Sequence, residues 1–285
     1  MRFVTFQAEG QGRPGVLSGE DTVLDLSSIG FETILQLIEA GAEGRGRVEK
    51  FLNSPPGNAK HARKDLQLLA PIPRPRKLIC VGLNYRDHAE ETGAQIPKVP
   101  TIFNKFATAV IGPGAHVILP KVSKAPDYEA EFAFVIGRGG RNIGAEDWRN
   151  AVFGYTLVND VTARDYQRAT SQWLMGKTFD TFAPMGPWIV TMDEIEDPHD
   201  LDIQMEINGE ILQDSNTREL IFKIPDLIEF LSSVFTLEPG DVVSTGTPAG
   251  VGFARKPPRY LHPGDQMSVR IPQIGELRNP VIAET

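Results

Sequence analysis

Glu129 and Glu131 lie one residue apart in PDYEAEFAFVIG, a run that otherwise has the composition of a buried strand. Side chains alternate along a strand, so both glutamates share a face with Ala133 and Val135. Tyr128, Ala130, Phe132, Phe134 and Ile136 point the other way. A half-exposed strand with a polar side is one reading, but the glutamate face turns apolar two residues on. Two carboxylates about 6.6 Å apart repel by about 2.5 kcal/mol at an effective dielectric of roughly 20, so when poorly solvated they need a proton or a cation. All-oxygen ligation points to Mg²⁺, Mn²⁺ or Ca²⁺, and the chain has no Cys/His cluster of zinc spacing. A third acid is then expected near a strand end. Asp160, in FGYTLVNDVTARDYQ, follows the apolar run Tyr155 to Val158 and precedes a short helix, where an aspartate also reads as a plain cap. On that helix Arg164 and Gln167 are three apart and share a face, a guanidinium clamp for a carboxylate beside a hydrogen-bonding amide.

Strands must hold these groups. Strand-like segments dominate beyond residue 77, at 78–81, 101–104, 117–119, 129–136, 151–158, 188–191, 202–207, 242–244 and 266–271. Helices are fewer, near 163–168 and 224–233. Before them, strands near 3–6, 15–17 and 22–26 lead into helices near 31–40 and 45–52, the first stopped by Gly41. Prolines at 71, 73 and 75 suggest an extended, semi-rigid connector, and a domain boundary is expected near residue 72. Pro-Gly-Asp occurs at 239–241 and 263–265, each time predicting a tight turn before a strand. The pattern predicts a mainly β, α+β fold with inserted helices, not regular βαβ alternation.

At 285 residues the chain can bury a substantial core. Its net charge of −8 and scattered bases argue against a nucleic-acid partner or an anionic membrane surface. The RPRK cluster at 74–77 reads as linker. The single cysteine, Cys80, excludes an intramolecular disulfide and reads as a buried structural thiol in a reducing compartment. No run approaches the roughly 20 apolar residues of a membrane span, and MRFVTFQAEG lacks the features of a signal or transit peptide, so a soluble cytoplasmic protein is expected.

In order along the chain, VGLNYRDHAEE, PTIFNKFATAVIGPG, DYEAEFAFVIG, NDVTARDYQ, MGKTFDTFAPMGPW and STGTPAGVG resemble the motifs of the fumarylacetoacetate hydrolase family, especially its domain-containing members. The resemblance covers about residue 73 to the end, and the N-terminal segment more loosely. It implies a small N-terminal α/β domain, residues 1–72, and a catalytic mixed β-sandwich roll, residues 73–285, in a homodimer around Mg²⁺ or Mn²⁺. It further implies Glu129, Glu131 and Asp160 as metal ligands and Arg164, Gln167, Lys177 and Thr247 as substrate contacts. The catalytic pair it implies is His88 with Glu91.

His88 and Glu91 are three apart, which suits one helical turn presenting both. A carboxylate beside an imidazole orients it and raises its basicity, so the pair can deprotonate water; a charged surface helix is the alternative reading. Lys177, in WLMGKTFDT, can be held partly out of water and aimed at developing negative charge. STGTPAGVGF lacks the ending of a phosphate loop and reads instead as a turn that offers backbone N–H groups and the Thr247 hydroxyl to a substrate carboxylate or oxyanion. The other histidines, at 61, 116, 199 and 262, read as structural or solvated. The expected activity is metal-dependent hydrolysis of a carbon–carbon bond in a β-diketo acid of the acylpyruvate or fumarylpyruvate type. Alternatives are oxaloacetate decarboxylation, isomerisation and decarboxylation of 2-hydroxyhepta-2,4-diene-1,7-dioate, hydrolysis of a diketo-deoxy sugar acid, or noncatalytic binding of a keto acid.

Overall fold

In the computed structural model, which describes residues 1–285, the segment Ala130–Ile136 is a strand buried along its whole length. Its two faces enter different cores. Ala130, Phe132, Phe134 and Ile136 join the larger one, while Ala133 and Val135 join the smaller. The expected alternation holds, and no part of the strand is half-exposed.

This strand sits inside a long mixed sheet. Val152–Asn159 pairs with it antiparallel on one side, and Val242–Ser244 on the other. The sheet continues through Leu78–Gly82, parallel to Val242–Ser244, to an edge at Thr101–Lys105. In the other direction Ala183–Thr191 follows Val152–Asn159, and Arg2–Ala8 is added through Arg2↔Val190 and Phe3↔Ile189. Gln11–Ser18, Thr22–Asp25 and Lys60–Ala62 complete it. One sheet therefore runs through residues on both sides of position 72. The proline connector is not a free linker: Ile72 is 4% exposed in the smaller core, and the Thr5 hydroxyl donates to the Pro71 carbonyl at 2.7 Å.

A second sheet, in the order Glu210–Asn216, Asp202–Ile207, Gln266–Ile271, Gly275–Ala283 and Val117–Leu119, contributes Ile203, Met205, Met267 and Val269 to the larger core. Helices Ile34–Glu39 and Gly41–Asn53 cover the smaller one, and Ile224–Val234 packs on the larger. The architecture is mixed α+β, mostly sheet, as expected. Both Pro-Gly-Asp segments are turns, with Gly240 and Gly264 at positive φ of 83° and 98°.

Some boundaries differ from expectation. Gly41 does not simply end the first helix; it opens the second. The strand expected at 188–191 spans Ala183–Thr191: Pro184, Gly186 and Pro187 read as breakers, yet Gly186 and Pro187 sit where the pairing with Val152–Asn159 is irregular and Pro184 pairs with Ile111. Glu210–Asn216 and Gly275–Ala283 escaped notice because their outer sides are polar or carry proline.

Candidate active site

Antiparallel pairing brings the acids together. Ala130 is opposite Asn159, so Glu129 and Asp160 flank the same end of two adjacent strands, and the Asp160 N–H donates to the Glu129 carbonyl at 2.9 Å. Oxygen atoms of Glu129, Glu131 and Asp160 lie within 4.8 Å of one another. All three residues are buried, at 5%, 1% and 0% exposure.

Three cations surround them. Lys177 Nζ bridges Glu129 Oε2 at 2.6 Å and Asp160 Oδ2 at 2.7 Å. Arg164 Nη2 contacts Glu129 Oε1 at 2.6 Å, while its Nε donates to Asp127 Oδ2 at 2.8 Å and its Nη1 to Gln167 Oε1 at 3.0 Å. Lys105 Nζ lies 2.6 Å from Asp160 Oδ1 and donates to the carbonyls of Val161 and Phe182. Burial opposes the charge on Glu129, yet Lys177 and Arg164 outweigh it and hold the carboxyl below the ordinary range. Burial likewise opposes the Lys177 charge, and Asp160 and Glu129 more than restore it. For Lys105, burial wins and lowers the ammonium's pKa.

Glu131 is different. Its carboxylate accepts only neutral donors, the Ser244 hydroxyl and the Gly246 N–H. Burial, then the neighbouring Asp160 and Glu129, push its pKa well above the usual value. Four buried acids, Asp127, Glu129, Glu131 and Asp160, thus face three buried cations, Lys105, Arg164 and Lys177. Asp160 Oδ1, although close to Lys105, accepts no well-aligned hydrogen bond. An excess carboxylate, an under-coordinated buried oxygen and an all-oxygen donor set fit a hard divalent cation such as Mg²⁺ or Mn²⁺.

His88 and Glu91 lie on helix Arg86–Thr92, ended by Gly93 in the left-handed region. His88 Nδ1 is 3.3 Å from Glu91 Oε2, which leaves Nε2 for a ligand. Glu91 Oε1 also accepts the Gly250 N–H at 2.9 Å, tying this helix to the glycine-rich segment.

That segment also braces the acids. Four of its N–H groups donate to protein carboxylates: Gly246 to Glu131, Gly250 to Glu91, and Gly252 and Phe253 to Asp127. The Thr247 hydroxyl donates to the Ala130 carbonyl and accepts from Gln213. The turn therefore holds the acids in place. Glycine is required at 252, where a Cβ would lie 2.0 Å from the Arg259 carbonyl oxygen and 2.4 Å from Asp127 Oδ1.

A cavity of about 240 Å³ opens over this cluster, lined among others by His88, Glu129, Glu131, Asp160, Arg164, Gln167, Lys177 and Thr247. Of the expected site residues only Glu91 is outside the lining, behind His88. Sequence reasoning missed Lys105 and Asp127. A lysine ending the apolar strand Thr101–Lys105 and an aspartate opening PDYEAEF were the available signals, since a buried charge needs a partner. It also missed Arg168, Trp173 and Phe253, which line the same cavity.

The family model for the fumarylacetoacetate hydrolase C-terminal region matches residues 77–282. The chain is 43% identical over 289 aligned residues to a mitochondrial oxaloacetate tautomerase of Xenopus laevis, covering 99% of this chain and 90% of the relative. Among solved structures, the fumarylacetoacetate hydrolase of Exiguobacterium antarcticum superposes with a TM-score of 0.87 at 36% identity, covering both chains fully. The maleylpyruvate hydrolase of Sphingobium sp. SYK-6, solved with manganese(II) and pyruvate, gives 0.85 at 32% identity, also over both chains. With its acids gathered at the end of two adjacent strands and its sequence matched over most of its length, the chain belongs to the fumarylacetoacetate hydrolase family and is an enzyme of that family.

Proposed function

We propose that the protein interconverts the keto and enol forms of a small 2-oxo acid of the oxaloacetate type. The observation that carries this reading is the joining of an excess buried carboxylate to a His88–Glu91 pair over one cavity. The similarity to the Xenopus tautomerase supports the substrate. So does size, because about 240 Å³ is below the roughly 300–1,000 Å³ of drug-sized sites.

Glu129, Glu131 and Asp160 are the residues that would hold Mg²⁺ or Mn²⁺, and the bound cation supplies Lewis acidity toward a 2-oxo oxygen. Arg164, Gln167 and Lys177 orient the 2-oxo acid end and favour negative charge as it develops there. His88 Nε2 takes a proton from the carbon next to the ketone and returns it to the enol in the reverse direction, while Glu91 fixes the ring's tautomer and stabilises the imidazolium. A second reading is hydrolysis of an acylpyruvate, favoured by the likeness to maleylpyruvate hydrolase, in which the same pair deprotonates water that attacks the distal carbonyl. Decarboxylation of oxaloacetate needs the enolate-stabilising groups but not the base. A homodimer is part of the proposal and is checked by light scattering. Cell fractionation decides between the cytoplasm and the compartment named for the Xenopus relative.

The test follows oxaloacetate enol absorbance and pyruvate release together, with Mg²⁺ or Mn²⁺ added. Accelerated enol decay without matching pyruvate supports tautomerisation. Enol decay no faster than in buffer, alongside acylpyruvate cleavage, replaces it with the second reading.

A further inference from the structure

The cavity floor is crowded with paired charge, but its rim carries a guanidinium without an acid. Arg168 lines the cavity one helical turn after Arg164 and is exposed. The two arginines are four apart, so they share a face. Their environments are opposite. Arg164 is 4% exposed, donates from Nε to Asp127 and from Nη1 to Gln167, and forms an ion pair with Glu129 through Nη2 at 2.6 Å. Arg168 makes no ion pair, and its side chain donates no hydrogen bond to the protein.

What holds Arg168 is an aromatic ring. Its guanidinium carbon lies 4.4 Å from the centroid of Phe253, and that of Arg164 lies 4.5 Å from the same centroid. His88 meets this ring edge-on at 6.4 Å. Stacking on a ring restrains a guanidinium while leaving its in-plane N–H donors free. A fixed planar fork with no protein acceptor, at the mouth of a cavity whose floor is built for a 2-oxo acid, matches a carboxylate arriving from outside. Phe253 couples this rim to the floor, because one ring contacts both arginines and the histidine.

We propose that Arg168 is a specificity-determining residue that selects 2-oxo acids carrying a second carboxylate at the end remote from the ketone. This deepens the proposed function and rests on its assignment of the cavity to a 2-oxo acid. The remote carboxylate takes no part in the proton transfer, so Arg168 acts on binding and on the choice of substrate.

The experiment measures binding apart from turnover. Calorimetry with Mn²⁺ present compares 2-oxoglutarate with 2-oxopentanoate, which have equal chain length and differ at the remote end. It is run on the wild-type protein, Arg168→Gln and Arg168→Lys, with thermal unfolding recorded for each. The expected result is a wild-type preference for the dicarboxylate that falls about tenfold in Arg168→Gln, as for a charged hydrogen bond at a partly solvated rim, and is partly kept in Arg168→Lys. An unchanged preference in Arg168→Gln overturns the proposal. So does an equal weakening of both ligands, which assigns Arg168 a structural role. Oxaloacetate turnover, measured separately, decides the proposed function, so a dead enzyme with an Arg168-dependent binding preference would remove the tautomerase reading alone.

Discussion

An acid cluster lies at each end of the short strand Val242–Ser244, and only the second is buried throughout. Before it, Asp241 accepts from Lys77 Nζ at 2.9 Å and from the Glu238 N–H at 2.8 Å, while Glu238 shares Lys77 and reaches Arg76. After it, Ser244 and Gly246 hold Glu131, whose neighbours Glu129 and Asp160 take up the available cations. The first cluster matches acids with bases and fastens a turn. The second leaves one carboxylate without a base at the floor of a cavity. A buried acid alone is therefore no signature of a site; a local charge imbalance facing a cavity is.

Substitutions separate the two ends. Glu131→Gln should lower metal-dependent activity by about a thousandfold or more while the metal-free protein unfolds at the same or a higher temperature, since the amide removes a buried carboxyl that no base accompanies. Activity assay and calorimetry check both halves. Lys177→Met leaves Glu129 and Asp160 short of a cation and should cost roughly 3–5 kcal/mol of stability in denaturant titration, with added Mn²⁺ restoring part of it. Asp241→Asn should cost only about 1–2 kcal/mol and leave kcat unchanged, because its cluster touches no ligand. Equal loss of activity in Asp241→Asn would erase the contrast. The smallest effect is in pH. Burial works against the Lys77 charge, but its hydrogen bonds to Glu238 and Asp241 prevail and raise its pKa above 10.5. Its contribution is therefore full below 10.5 and fades as pH rises through the higher folded value. Unfolding of wild type and Lys77→Met should converge above that point.

Much of this was legible in the sequence because period-two alternation fixes faces without knowledge of partners. Glu129 and Glu131 declared a shared face, and the strand before Asp160 declared a terminus. The register of Ala130 with Asn159, which joins them, is a long-range property no local pattern carries. The same limit hid Lys105, whose meaning depends on Val161, Phe182 and Asp160 from later strands. The glycine-rich segment was legible as a turn but not in its loyalty. Only the fold shows Glu131, Glu91 and Asp127 meeting four of its N–H groups. The N-terminal segment looked separable at residue 72 because prolines mark connectors, while the pairing of Arg2–Ala8 with Ala183–Thr191 is invisible locally.

The unmatched carboxylate is expected to build a site for one divalent cation. Titrating Mn²⁺ into the wild-type protein and Glu131→Gln, with free Mn²⁺ read by electron paramagnetic resonance, tests it most directly. The expected result is one tightly bound Mn²⁺ per wild-type chain and at least a hundredfold weaker binding in Glu131→Gln. Equal affinity in the two proteins, or no binding by the wild type, would contradict it.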